Sequence, residues 1–88
     1  MASHEETLAG LQQGNTVCGT LHGIVQNASQ TAAELRNILQ NSLGNTESYG
    51  SVAGPSEAVV TQLGAAAQAV AQTSQVIEGL MSRFQGGV

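Results

Sequence analysis

Apolar side chains recur along this chain at helical spacing in two separate runs. Leu11, Cys18, Val25, Ala32 and Leu39 follow one another every seven residues, with Leu21, Ala28 and Leu35 in a companion series three places on. In the second run Leu63, Val70, Ile77 and Phe84 repeat every seven, accompanied by Val59, Ala66 and Leu80. Steps of three, four and seven bring residues to one face of an α-helix. Between the runs lies Gly44 to Pro55, dense in Gly, Asn, Ser and Thr. The pattern predicts an all-α protein, an antiparallel helical hairpin in a single domain over 1–88. Its expected parts are a helix over 4–43, a loop over 44–54, a helix over 55–85 and a flexible tail over 86–88. At about 1.5 Å per residue the arms would run about 45–60 Å, as a helix-turn-helix rod.

Local signals mark the boundaries. Ser3 with Glu6 forms a Ser-x-x-Glu capping box, in which the two side chains satisfy free backbone N–H groups at a helix start. Gly44 is the expected stop, in the left-handed conformation that glycine adopts cheaply. Pro55 suits the first position of the second helix, and Glu57 would then place a negative charge in its first turn. Gly10, Gly14, Gly19 and Gly23 weaken the first helix by about 1 kcal/mol each relative to Ala, and Gly14-Asn15-Thr16 is a place where it could bend or restart.

Composition limits what such a hairpin can do alone. The apolar content is 41%, with one Phe, one Tyr and no Trp, so large core anchors are scarce. A single core in so short a chain rarely supplies more than roughly 3–5 kcal/mol without disulfides, metal or oligomerisation. The lone Cys18 allows no internal disulfide, and no structural metal set is present. The remaining route is assembly, which predicts that the hairpin pairs into a four-helix bundle with itself or a sister hairpin. Leu21, Val25, Leu35, Leu39, Leu63, Val70, Ile77 and Phe84 are the expected partner-binding residues.

Charge removes several functions. The chain carries only two arginines, six glutamates and a net charge of −4. Nucleic-acid binding needs several cations on one face, and so does docking on anionic lipid. No apolar run is long enough to span a bilayer. The N-terminal Met-Ala-Ser-His-Glu-Glu has no basic segment followed by an apolar core, so a cleavable secretory signal is not expected. The surface is instead carried by neutral amides and hydroxyls such as Gln12, Gln30, Asn37 and Gln72, a surface that repels its own copies weakly.

Candidate chemistry is sparse. Cys18 and His22 lie four apart, the spacing of two metal ligands on one helix face, but His4 is the only other His and there is no Asp. Cys18 sits in the apolar series and reads as a small core residue. The glutamates stand singly, with no acid–base pair, so no catalytic residue, metal or cofactor is expected and the chain reads as a non-enzyme. Asn27-Ala28-Ser29 matches a glycosylation pattern in mid-helix and reads as chance. Tyr49, in the predicted loop with Gly50, is the one aromatic outside the helices and a candidate contact point.

A hairpin of this length with an aromatic-plus-glycine turn, here Tyr49-Gly50, resembles the small Trp-X-Gly (Esx-type) substrates of bacterial type VII secretion. The resemblance spans nearly the whole chain in architecture. It departs in motif, since Tyr-Gly stands where that family has Trp-X-Gly. The family's Tyr-x-x-x-Asp/Glu export signal is also missing after the second helix, where Phe84-Gln85-Gly86-Gly87-Val88 contains no acid. The resemblance implies a protein secreted without a cleavable signal peptide, acting as a homo- or heterodimer with a secretion apparatus as a further partner. The alternative is a structural subunit of a helical filament, needle or coat, cytoplasmic or assembled outside the cell or in a virion, because a heterologous contact that does not close produces open assemblies.

Overall fold

The computed structural model describes residues 3–86. Two long helices, α1 (His4–Leu43) and α2 (Tyr49–Gly86), pack against each other as a helical hairpin. Helix α1 begins as its cap predicts. The Glu6 N–H donates to Ser3 Oγ at 3.1 Å, and the Thr7 N–H donates to the Ser3 carbonyl at 2.9 Å. Glu5 and Glu6 occupy the first turn, where the helix dipole favours negative charge. The helix then continues without a break through all four of its glycines, so packing outweighs their poor propensity.

Helix α1 stops after Leu43, but not by a left-handed glycine. None of the described glycines has a positive φ. The Gly44 N–H still donates to the Gln40 carbonyl at 2.9 Å, and Thr46 Oγ1 caps the Leu43 carbonyl at 2.7 Å. Glycine is required at 44 for a steric reason, since a Cβ there would collide with the Gln40 carbonyl oxygen.

The predicted loop over 44–54 is too long. Residues 44–48 make the turn, and α2 starts at Tyr49. The N–H groups of Tyr49, Gly50 and Ser51 donate to the carbonyls of Thr46, Glu47 and Ser48 at 3.0–3.3 Å, a tight three-residue winding that feeds the helix. Pro55 therefore lies inside α2 and not at its first position. The proline deprives the Ser51 carbonyl of its usual partner, and Ser51 is exposed, so water can serve it. Glu57 is likewise displaced from the first turn, and its carboxylate faces Arg36 Nη1 at 3.4 Å. At the other end Gly86 is still helical, while positions 87 and 88 of the predicted tail lie outside the described residues.

The chain divides into two compact units. The terminal unit comprises Met1–Gly23 with Gln68–Val88, and the turn unit comprises Ile24–Ala67. In the terminal unit the His4 and Phe84 rings lie 5.3 Å apart at a tilt of 43°, and Ser74 Oγ donates to Asn15 Oδ1 at 2.8 Å. Cys18 is the buried apolar residue there. In the turn unit Val25 and Ala32 are buried, joined by Ser56, whose hydroxyl is satisfied by the Ala53 carbonyl at 3.2 Å.

The seven-residue series of α1 therefore points inward, with Leu11 and Leu39 half-buried at its ends. Of its companion series only Ala28 is half-buried. Leu21 and Leu35 are exposed, and the inward flank is the one four places on, where Leu8, Asn15, Ser29, Arg36 and Leu43 are half-buried. On α2, Leu63, Val70, Ile77 and Phe84 are half-buried, as are Ala66 and Leu80, whereas Val59 is exposed. No large side chain among the described residues is fully buried, so the core is thin.

Two contrasts test this fold by thermal and urea denaturation followed by circular dichroism. Val25→Ala should lower stability by about 1.5–2.5 kcal/mol, while Gln30→Ala, on an exposed position, should change it by under about 0.5 kcal/mol. Gly23→Ala, where a Cβ meets nothing, should stabilise by up to about 1 kcal/mol. Gly44→Ala should destabilise by more than about 1 kcal/mol because the Gln40 carbonyl must move. A stabilising Gly44→Ala would show that the turn is built differently.

Candidate functional site

In the terminal unit the two helices leave an open groove of about 390 Å³ between Cys18, His22, Val70, Ser74 and Glu78. A volume of this order could admit a small molecule, but its polar groups do not converge. The Ser74 hydroxyl is committed to Asn15, and Cys18 is only 7% exposed. Among the described residues no three of His, Cys, Asp and Glu gather to hold a metal ion. Cys18 lies inward in the seven-residue series, as its place in the sequence suggested, and a buried thiol of this kind behaves as a small apolar side chain.

The turn unit carries a second, shallower groove, bounded by Leu35 and Leu39 on α1 and by Val52, Pro55 and Val59 on α2. Its lining is almost entirely apolar. Pro55 contributes here because it lies within the helix, one turn from Val52 and Val59. Leu35 and Val59 in its lining are exposed, and the turn unit also exposes Ile24 at 57% and Ile38 at 59% on α1. Single exposed apolar residues are ordinary, but an aligned set marks a contact surface.

The expected partner-binding residues are thus sorted by the fold. Leu21 and Leu35 are exposed and free to meet another molecule. Leu39, Leu63, Val70, Ile77 and Phe84 are half-buried. Val25 is only 9% exposed and belongs to the interior, because the seven-residue series forms the contact within the hairpin. Tyr49 is not on a loop. It is the first residue of α2 and half-buried, with Gly50 exposed beside it.

The chain matches no family model, no curated protein and no solved structure. The site must therefore be read from its own residues.

Ile24, Ile38 and Val59 stand outside the expected set, and the sequence does contain the signal of the two isoleucines, shared with Val17 in the terminal unit. They fall one place before each member of the inward series, at 17, 24 and 38, with Thr31 completing the row. Interleaved with Leu21, Ala28 and Leu35, they step alternately by four and three, which is the repeat of a helix-packing seam. Two apolar series compete on α1, and only packing decides which one turns inward.

The burial of Cys18 gives a direct test. Alkylation by iodoacetamide, followed by mass spectrometry, should be slower in native protein than in urea by about an order of magnitude or more. Equal rates would place the thiol in solvent and remove the inward series from the core.

Proposed function

We propose that the chain is a non-catalytic interaction protein, a secreted type VII (Esx-like) substrate that acts as a homo- or heterodimer of helical hairpins. The observation that carries this reading is the aligned apolar side chains on the outside of a two-helix hairpin whose own core is thin. A hairpin with little interior gains stability by covering such a face with another hairpin. The low charge supports the same reading, since two arginines and six glutamates leave most of the surface neutral, and neutral surfaces pack side by side without strong repulsion. The aromatic-plus-glycine pair Tyr49-Gly50 supports the secretion assignment. It stands at the first turn of α2, next to the turn that joins the arms.

The route is tested by expressing the tagged chain, with and without candidate sister hairpins, in a bacterium that has a type VII apparatus and in its secretion-ATPase mutant. The protein should accumulate in the medium of the parent strain only. Tyr49→Ala should lower that export while leaving helicity by circular dichroism unchanged. Equal release from parent and mutant, or retention in both with every sister chain supplied, would overturn the secretion reading. Export undiminished by Tyr49→Ala would remove Tyr49 from it.

A further inference from the structure

We draw no further inference here: the strongest candidate, the exposed apolar row of α1 that includes Ile24, Leu35 and Ile38, carries nothing because the row is neutral and nothing in the structure shows what covers it.

Discussion

The hairpin depends on the packing of its two helices, in which Cys18, Val25 and Ala32 of the seven-residue series of α1 are buried, Leu11 and Leu39 are half-buried, and Leu63, Val70, Ile77 and Phe84 are half-buried on α2. The middle of the α1 series consists of small side chains, and Cys18, Val25 and Ala32 are the apolar residues that become buried. Small residues let helices approach closely, but they remove little apolar area from water. The hairpin is held by a narrow strip, and its flanks are polar: Asn15 with Ser74 in one unit, Arg36 with Glu57 in the other. The exposed ion pair contributes at most about 1 kcal/mol, so it fixes register more than it stabilises. Ser56, buried on α2, adds no apolar contact, although its hydroxyl is satisfied within its own helix.

A thin strip has a consequence for the outside of the molecule. Five of the larger branched side chains of α1, Val17, Leu21, Ile24, Leu35 and Ile38, are exposed. Turning them inward would have brought Asn15, Ser29 and Arg36 out, and these residues find partners or partial cover against α2. An exposed seam of this size is costly for an isolated chain and favourable for an assembled one. Charged residues are few on this surface, and amides and hydroxyls make up much of the rest.

The turn shows the same interplay at smaller scale. Gly50, Gly54 and Pro55 look like loop residues by propensity, yet Tyr49, Val52, Ala53 and Ser56 take up inward positions of α2. The seven-residue series of α2, followed backward from Leu63, passes through Ser56 to Tyr49, so the early start is visible in the periodicity once breakers are given less weight. Poor helix formers cost least near a helix end, where few hydrogen bonds depend on them. Val52 and Pro55 then line one apolar groove with Leu35 and Leu39.

Sequence alone determined what is local or periodic. The Ser3 cap, the end of α1 at Leu43 and the two helical arms all follow from spacing and from side chains that act on their own backbone. Tertiary structure decided which flank of α1 would join the core, because two apolar series at different offsets satisfy the same periodicity equally well. That choice belongs to α2, where Ser74 and Glu57 offer partners to Asn15 and Arg36 and so draw the four-residue offset inward. It also decided that Val25 is interior and that Ile24 and Ile38 are surface. A helix has no internal preference for its rotation about its own axis, and only the surface it packs against can set it.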